Sequence, residues 1–308
     1  MSSEPEAVRQ PRVGYLGPAG TFSEEALLAS AAVDSVEPLA LTSIYDTVMA
    51  LRRGEVSWAI VPIENSLEGS INVTLDLLAG DAGDIEIVGE ALLRVRHSLI
   101  AAEAVALREI DTVMTHPQVP GQCTVFLRNE LPHAQVLPAG STAEAVRSVV
   151  AAGRRSQAAL GTALAATIYG GTVIREGVED REDNETRFVW LGLSAPGAER
   201  SPSDRPPLRG GAEGEWKTSL VFWGAGAERP GWLVRCLDEF ARRDINLTKI
   251  ESRPRRQGLG SYMFFVDLAG RAEHTPVAEA IAEVGRMCEE VRVLGCYRAG
   301  ELSLGEAR

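Results

Sequence analysis

The sequence lacks the residue patterns that hold metal ions or disulfide frameworks. Its four cysteines, Cys123, Cys236, Cys288 and Cys296, form no Cys-x-x-Cys pair, and its four histidines lie far apart along the chain. Scattered cysteines of this kind are typical of reduced, mostly buried thiols in a cytoplasmic protein. We therefore expect a cytoplasmic location and no metal site.

Long apolar runs and basic blocks are also missing. There is no run of about 18 apolar residues, which excludes a membrane-spanning helix, and the N-terminal Met-Ser-Ser-Glu-Pro-Glu does not resemble an export signal. With 43 acidic and 31 basic residues the net charge is −12, so neither nucleic acid nor an anionic membrane is an expected partner. A small anionic ligand remains compatible with this charge, because salt screens the overall field within about 8 Å.

Lysine is nearly absent, since only Lys217 and Lys249 occur among the 31 basic residues. The planar guanidinium of arginine binds carboxylates through two parallel hydrogen bonds, but the arginine excess runs along the whole chain beside abundant Ala and Gly. We attribute it to a GC-rich coding sequence.

The first 194 residues predict an α/β architecture with a mostly parallel sheet, because apolar runs alternate with helical patterns. A length of 308 residues favours about two domains. The predicted strands cover 13–16, 36–41, 58–63, 85–95, 98–101, 112–114, 135–137, 158–160 and 188–193. The predicted helices cover 25–32, 44–53, 71–79, 117–129, 142–152 and 161–169.

A stretch rich in Pro, Gly and Ser at 195–215 predicts a flexible linker. Behind it, the order of predicted elements is βαββαβ, which is typical of a ferredoxin-like module. These elements cover 218–223, 231–242, 246–251, 262–268, 276–288 and 291–296. The predicted organisation is a disordered N-terminus at 1–11, a large domain at 12–194, the linker, the small module at 216–298 and a tail at 299–308.

One loop combines many polar groups with the end of a buried strand. The apolar run from Trp58 to Ile63 is followed by Glu64, Asn65, Ser66, Glu68, Gly69 and Ser70. In an open α/β sheet, a loop at the carboxyl end of a strand opens onto the ligand crevice. The loop alone fits a site for a small polar ligand and a turn before a helix N-cap equally well.

Two predicted helix starts have the spacing of a capping box. Thr21 and Glu24 follow the glycine-flanked turn at 17–20, and Ser141 and Glu144 follow the strand at 135–137. Each hydroxyl can simply cap its helix. Exposed backbone N–H groups at a helix start also attract anions, so two such starts would suit a substrate with two carboxylates.

Two further segments give only weak evidence for a functional site when taken alone. In Asp183-Asn-Glu-Thr-Arg-Phe188, a threonine before a strand is most often a turn or strand former. Gln118 and Gln122 have helical i,i+4 spacing and can face one cleft.

Taken together, these segments resemble the prephenate dehydratase family. The matching pieces, in the family's order, are 17–23, 61–69 with 74–78, 116–118 with 122–123, 141–143 and 186–188. The C-terminal module resembles the family's ACT regulatory domain, and 244–254 matches its effector motif. The resemblance extends from residue 12 to about residue 297.

The resemblance implies a fold, a reaction and a regulator. The catalytic domain would be type II periplasmic-binding-protein-like, with two lobes and the active site between them. The reaction would convert prephenate to phenylpyruvate, water and carbon dioxide in phenylalanine biosynthesis, without a cofactor. L-Phenylalanine would be the effector of a homodimer or homotetramer.

The resemblance also implies roles for individual residues. Thr186 would protonate the leaving hydroxyl, and Asn65 and Gln122 would supply hydrogen bonds. Arg187 would bind a carboxylate or serve a structural role in its strand, and Phe188 would pack against the substrate ring or the cleft floor. Glu64 is expected to tie the loop down, because an ionised Glu facing a dianion would repel it. The other expected substrate-binding residues are Thr21, Ser23, Ser66, Gly69, Gln118, Ser141 and Thr142.

The effector segment departs from the family at Trp232, where Pro230-Gly-Trp-Leu233 replaces the usual Pro-Gly-Ala-Leu. The indole could fill the pocket, change the effector or turn outward. The expected effector-binding residues are Gly231, Trp232, Leu233, Val234, Asn246, Leu247, Glu251, Ser252, Arg253 and Pro254.

Three alternatives remain on this scaffold. The sequence does not distinguish arogenate dehydratase from prephenate dehydratase. A prephenate decarboxylase that keeps the ring non-aromatic is disfavoured by Thr186, since its leaving hydroxyl must stay unprotonated. A non-catalytic amino-acid sensor is disfavoured because Thr186, Asn65 and Gln122 are all present.

Overall fold

The computed structural model describes residues 10–32, 35–80, 82–194, 206–209, 214–224, 229–300 and 302–303. Most of the predicted N-terminal segment, most of the linker and most of the tail lie outside these ranges. The described residues form three sheets, two in the large domain and one in the C-terminal module.

The first lobe is built on a central buried strand. Its elements are β1 (Arg12–Leu16), α1 (Phe22–Ser30), β2 (Glu37–Leu41), α2 (Ile44–Arg52), β3 (Trp58–Asn65), β4 (Gly69–Ser70), α3 (Asn72–Ala79) and β5 (Ile85–Arg94). Strand β3 is buried along nearly its whole length, as its continuous apolar run predicts for a strand covered on both faces.

The second lobe follows without a break. Its elements are β6 (Ser98–Ala101), β7 (Thr112–Thr115), α4 (Thr124–Glu130), β8 (Gln135–Pro138), α5 (Thr142–Ala152), β9 (Gln157–Gly161), α6 (Ala163–Tyr169) and β10 (Thr172–Arg175). The helix expected at 117–129 is shorter than predicted, because a 3₁₀ turn at Val119–Gly121 with Pro120 precedes α4. Strand β10 was not predicted.

The chain then returns to the first lobe as β11 (Glu185–Leu193), which lies between β5 and β3 and is antiparallel to both. The sheets are therefore mixed rather than mostly parallel. The chain crosses twice between the lobes, after β5 and before β11, which confirms the predicted two-lobed, periplasmic-binding-protein-like arrangement.

The C-terminal module has the predicted ferredoxin-like order. It consists of β12 (Trp216–Trp223), α7 (Trp232–Ala241), β13 (Leu247–Pro254), β14 (Tyr262–Ala269), α8 (Thr275–Met287) and β15 (Glu290–Arg298). Its sheet has the antiparallel order β13-β14-β12-β15. A last short strand, β16 (Leu302–Ser303), pairs with β5 of the first lobe, so the predicted tail contributes to the large domain's sheet.

The module shares a hydrophobic core with the first lobe. Along β12, Leu220 and Phe222 pack under the module's own helices, whereas Val221 and Trp223 belong to the core of the first lobe. This alternation is the side-chain period of a strand covered on both faces. The contact is close enough that a Cβ at Gly295 would overlap the backbone of Ile87.

Candidate active site between the two lobes

The carboxyl end of β3 and the beginning of β11 bring Asn65 and Thr186 together. The two residues are direct partners in the antiparallel pairing of these strands. The Asn65 Nδ2 donates to Thr186 Oγ1 at 2.9 Å and to Asn184 Oδ1 at 2.8 Å. Both Asn65 and Thr186 are 9% exposed, so the pair lies in a largely dry environment.

The direction of the Asn65 bond decides what the threonine can do. An amide N–H group only donates, so Thr186 Oγ1 accepts this hydrogen bond and its own proton stays free for another acceptor. The Asn65 amide is itself fixed, because Asn65 Oδ1 accepts the backbone N–H groups of Leu67 and Glu68 at 2.9 Å each. The Thr186 hydroxyl can therefore donate a hydrogen bond of its own to another acceptor.

A chain of side-chain amides connects this pair to the second lobe. Asn184 Nδ2 donates to Gln122 Oε1 at 3.1 Å, and Gln122 Nε2 donates to Glu68 Oε1 at 3.2 Å. Asn184 is almost completely buried, at 1% exposure. Gln122 lies on the second lobe and the others on the first lobe or its connection, so the chain spans the base of the interlobe cleft.

His97 completes this network from the other crossing between the lobes. Its Nε2 lies 3.2 Å from Gln122 Oε1; since an amide oxygen only accepts, Nε2 carries the hydrogen. Burial lowers the pKa of His97, so the ring is neutral at neutral pH. Its buried Nδ1 has no hydrogen-bond partner among the residues that the structure describes.

Sequence reasoning placed Asn65, Gln122 and Thr186 in one site but missed Asn184 and His97. Asn184 could have been found, because it precedes Thr186 by two residues and the strand period places such residues on one face. His97 carries no local pattern that indicates a site.

A second contact between the lobes forms at the turn before α1. Thr162 Oγ1 donates to the carbonyl of Gly20 at 2.7 Å, and Tyr169 Oη donates to the carbonyl of Ala19 at 2.8 Å. Gly20 has a positive φ of 83°, and a Cβ there would touch Ala165 at 2.8 Å. The glycine thus permits the close approach that forms this wall of the cleft.

The two expected capping boxes form differently. Ser141 caps α5, since its Oγ accepts the backbone N–H of Glu144 at 3.0 Å. Thr21 does not cap α1; its hydroxyl donates to the carbonyl of Leu16 at 2.9 Å. The Glu24 carboxylate accepts the N–H of Gly20 at 2.5 Å, so an acidic side chain occupies that turn where an anionic ligand was expected.

Several other predicted substrate residues have structural partners. Ser66 Oγ accepts the N–H of Glu185 at 2.9 Å and thereby ties the loop to β11. Gly69 adopts a left-handed φ of 83° at the tight turn into β4. Ser23 and Thr142 are buried near the two helix starts, whereas Gln118 is exposed.

Arg187 and Phe188 do not face the cleft as substrate ligands. The Arg187 guanidinium binds Glu90, Asp267 and Tyr297. Of the two expected roles, this arrangement fits the structural one and not the binding of a substrate carboxylate. Phe188 is 1% exposed in the core of the first lobe beside Trp190. Both corrections follow from the burial of β11 on both faces.

Glu64 holds the loop through an ion pair with Lys249 of the module at 3.0 Å.

Successive side chains of β13 point to opposite faces of the sheet, so the predicted effector residues on this strand lie on two different sides. Glu251 accepts a hydrogen bond from Ser70 at 3.0 Å, and Arg253 pairs with Asp76 at 2.9 Å, so both face the first lobe.

The segment around Trp232 lies elsewhere, beside a surface cavity of about 420 Å³. The cavity is lined by Arg229, Pro230, Gly231, Trp232, Leu233, Val234, Gly260, Tyr262 and Phe264. The indole does not turn outward: Trp232 is 4% exposed, and its Nε1 donates to the carbonyl of Met287 at 2.8 Å. Asn246, Ser252 and Pro254 are exposed, and Leu247 packs partly against the module core.

Within the described residues, no helix is long and apolar enough to cross a membrane. Nor do the His, Cys, Asp and Glu side chains of these ranges gather in a group of three that could hold a metal ion.

Comparison with known proteins agrees with this geometry. A family model described as "Prephenate dehydratase" matches residues 13–195. The chain belongs to the prephenate dehydratase family. It is 39% identical over 305 residues to a prephenate dehydratase of Mycolicibacterium vanbaalenii, covering 95% of this chain and 92% of the relative. The predicted family is therefore confirmed.

Two solved structures have the same arrangement over nearly the whole chain. The prephenate dehydratase of Arthrobacter aurescens, solved in complex with L-Phe, has a TM-score of 0.81 at 34% identity and covers 93% of this chain and 90% of that one. A second structure, described as the quorum-quenching acylase GqqA, has a TM-score of 0.80 at 27% identity, with coverages of 94% and 98%. The scaffold therefore carries more than one described activity.

Proposed function

We propose that this chain converts prephenate to phenylpyruvate, water and carbon dioxide in the biosynthesis of L-phenylalanine. The observation that carries the proposal is the Asn65–Thr186 hydrogen bond, which leaves the Thr186 proton available to the cleft. The leaving group of the reaction is a hydroxyl, and a proton is what it needs to depart as water.

The chemistry requires one proton and the release of two small molecules. As the ring carboxylate leaves as carbon dioxide, its bonding electrons form the aromatic ring and expel the hydroxyl at C4. Thr186 donates its proton to that hydroxyl and regains one from solvent afterwards. A threonine hydroxyl is a weak acid in water, so the donation depends on the buried site and on the Asn65 N–H that stabilises the oxygen left behind.

The groups next to the proposed proton donor suit a substrate with two carboxylates. Asn65, Asn184, Gln122 and the neutral His97 carry no negative charge, and the Glu68 carboxylate at the far end of the chain accepts a hydrogen bond from Gln122. We assign Ser23, Gln118 and Thr142, with the backbone near Ser141, to substrate binding. Ser23 and Thr142 lie at the starts of α1 and α5, and Gln118 lies on the second-lobe segment that carries Gln122. Gln122 closes the base of the cleft from the second lobe.

The same bond argues against a nucleophilic threonine, as an acylase of this scaffold would need. A nucleophilic hydroxyl needs a base that takes its proton. The partner of Thr186 Oγ1 is an amide N–H donor, which cannot take one. A decarboxylase that keeps the hydroxyl would likewise have no use for this donor.

We further propose that L-phenylalanine binds to the C-terminal module at the cavity beside Trp232. Support comes from the Arthrobacter aurescens relative, which was solved in complex with L-Phe. The indole forms part of the cavity wall, so the effector site would be narrower than with the usual alanine. Calorimetry that shows no L-phenylalanine binding at millimolar concentration would contradict this proposal.

We also propose a cytoplasmic homodimer or homotetramer. Strand β13 is the edge of the module's sheet, and exposed edges pair readily with a second copy. Exposed apolar side chains lie close to it, namely Ile250 at 51%, Tyr262 at 45% and Val234 at 69% exposure. Light scattering with and without L-phenylalanine measures the assembly state.

One assay tests the reaction. Purified protein is mixed with prephenate, and phenylpyruvate is followed by its absorbance, with and without L-phenylalanine. Parallel reactions contain arogenate or an N-acyl amide of the kind that acylases cleave. Phenylpyruvate from prephenate is the expected product; exclusive turnover of arogenate or of the amide would replace the proposal by that activity.

A further inference from the structure

The two strands that carry Asn65 and Thr186 bear a second cross-strand pair on their opposite side. Arg187 is the direct partner of Glu64 in the pairing of β11 with β3, next to the Thr186–Asn65 pair. Successive side chains of a strand point to opposite faces. Asn65 and Thr186 therefore face the cleft, whereas Glu64 and Arg187 face the C-terminal module.

The Arg187 side chain is fixed at all three guanidinium nitrogens. Nε donates to Glu90 at 2.7 Å, Nη1 to Asp267 at 2.5 Å and Nη2 to the Tyr297 hydroxyl at 2.6 Å. The Arg187 side chain is 9% exposed. Asp267 and Tyr297 belong to the module, so two of these three anchors come from outside the catalytic domain.

Glu64 is held from the same side. Its carboxylate lies 3.0 Å from Lys249 Nζ and 3.6 Å from Arg187 Nη1. Lys249 Nζ also donates to Ser70 Oγ at 2.9 Å. Both ends of the loop that begins at Asn65 are thus attached to β13 of the module.

The chain's only two lysines both take part in this interface. Lys217 Nζ lies 2.8 Å and 2.9 Å from the two carboxylate oxygens of Glu90, which is the partner of Arg187 Nε. Ser219 binds both Asp267 at 2.5 Å and the Tyr297 hydroxyl at 2.7 Å. The charges of Arg187 and Lys217 balance those of Glu90 and Asp267, and each charged group is hydrogen-bonded.

The pairing of β11 with β3 is irregular near this point. Its register shifts between Arg187 and Phe188, one residue beyond Thr186, whereas the pairing of β11 with β5 is regular from Glu185 to Trp190. A bulge of this kind re-aims neighbouring side chains. Side-chain anchors on Arg187 therefore add fixation on the β3 side of the strand, where the ladder is shifted.

We propose that Arg187 is a positioning residue for Thr186, and that the C-terminal module contributes to the active site by holding the Arg187 side chain on the face of the sheet opposite the cleft. The group formed by Arg187, Glu64, Glu90, Asp267, Tyr297 and Lys249 is called the Arg187 clamp. This proposal rests on the proposed role of Thr186 as proton donor. It predicts that damage to the module side of the clamp lowers turnover although no substrate contact is lost.

The test compares Asp267→Asn and Tyr297→Phe with a matched control, Asp76→Asn. Asp76 joins the first lobe to the module through Arg253 and Arg256, with side-chain exposure of 19%, but it lies on α3 and not on the strands of Thr186 or Asn65. Steady-state kinetics with prephenate and melting temperatures are measured for all three. We expect the clamp variants to lose about 10- to 100-fold in kcat, as small misplacements of a reacting group do, with KM within about threefold. The control keeps its kcat.

A purely structural role gives a different result. It lowers the melting temperature of clamp and control variants alike and leaves kcat within about twofold, which would overturn the proposal. If Asp267→Asn does not fold, Tyr297→Phe decides, because it keeps every charge and removes one hydroxyl.

Amide hydrogen exchange gives a second readout that needs no substrate. The clamp predicts faster exchange at 184–188 and 64–70 in Tyr297→Phe than in Asp76→Asn; equal exchange in both variants counts against it. If the wild-type protein makes no phenylpyruvate, the proposed reaction fails, and the exchange measurement still decides whether the clamp holds these strands.

Discussion

On the cleft side of β3 and β11, Asn65 and Thr186 are joined by neutral hydrogen bonds, whereas Glu64 and Arg187 on the opposite side belong to an ionic cluster. The two pairs are adjacent in sequence and share the same backbone ladder. On the neutral side, Asn65 and Thr186 carry no charge before proton transfer, and the Asn65 N–H can stabilise the oxygen that remains after it. The ionic side is made of charge-assisted bonds, which are short and directional. Chemistry and fixation are thus divided between the two faces.

The largest expected effect lies on the neutral face. Thr186→Ala removes the proposed proton donor and should lower kcat by roughly 10²–10⁴. Thr186→Ser, which keeps a hydroxyl at the same position, is the matched control and should retain most of the turnover. Steady-state phenylpyruvate formation measures both. Wild-type turnover by Thr186→Ala would remove this residue from the mechanism.

The next effect concerns stability and comes from the ionic face. Arg187→Met leaves Glu90 and Asp267 as buried charges without this partner, which typically costs about 3–5 kcal/mol. The control is Arg12→Met, whose ion pair with Glu37 is exposed at 56% and 54% and should change the stability little. Urea unfolding gives both free energies. Equal losses would mean that burial of the cluster has no energetic consequence.

A subtler change tests the direction of the Asn65 bond. Asn65→Asp has nearly the same shape but replaces the N–H donor by an acceptor, so the Thr186 proton is drawn towards the new carboxylate. We expect kcat to fall by about 10², the usual effect of losing one donor to a developing oxyanion. KM should rise too, because the added charge repels the substrate. Unchanged kinetics would show that Thr186 does not depend on this donor.

Much of this arrangement could be predicted from sequence, because local patterns determine it. The apolar run from Trp58 to Ile63 predicted a buried strand, and β3 is one. The resemblance to the prephenate dehydratase family, and not a local pattern, predicted that this loop meets Thr186 and Gln122. Ser141 also formed the cap that its spacing indicates.

Other errors arose where a residue's partner is distant in sequence. The sequence leaves Arg187 with two possible roles, substrate binding or a structural contact. It does not decide between them, because the partners Asp267 and Tyr297 lie 80 and 110 residues away. Glu251 and Arg253 matched an effector motif, but the alternation of β13 directs them to the first lobe. The Pro, Gly and Ser content of the linker does not predict that the module packs on the first lobe.

The smallest effect concerns the half-buried carboxylate of Glu25, whose pKa shift comes from desolvation. Burial raises the pKa of Glu25 on α1 from its ordinary 4.5 to about 7. The folded state therefore binds this proton more tightly than the unfolded chain, and stability falls as pH rises from about 4.5 to about 7. Glu25→Gln should leave stability unchanged near pH 4.5 and raise it by on the order of 2 kcal/mol above pH 7, several degrees in melting temperature. Thermal melting at both pH values checks this, with the exposed Glu130→Gln as control. A stabilisation of equal size at both pH values would show that the gain comes from packing and not from the raised pKa.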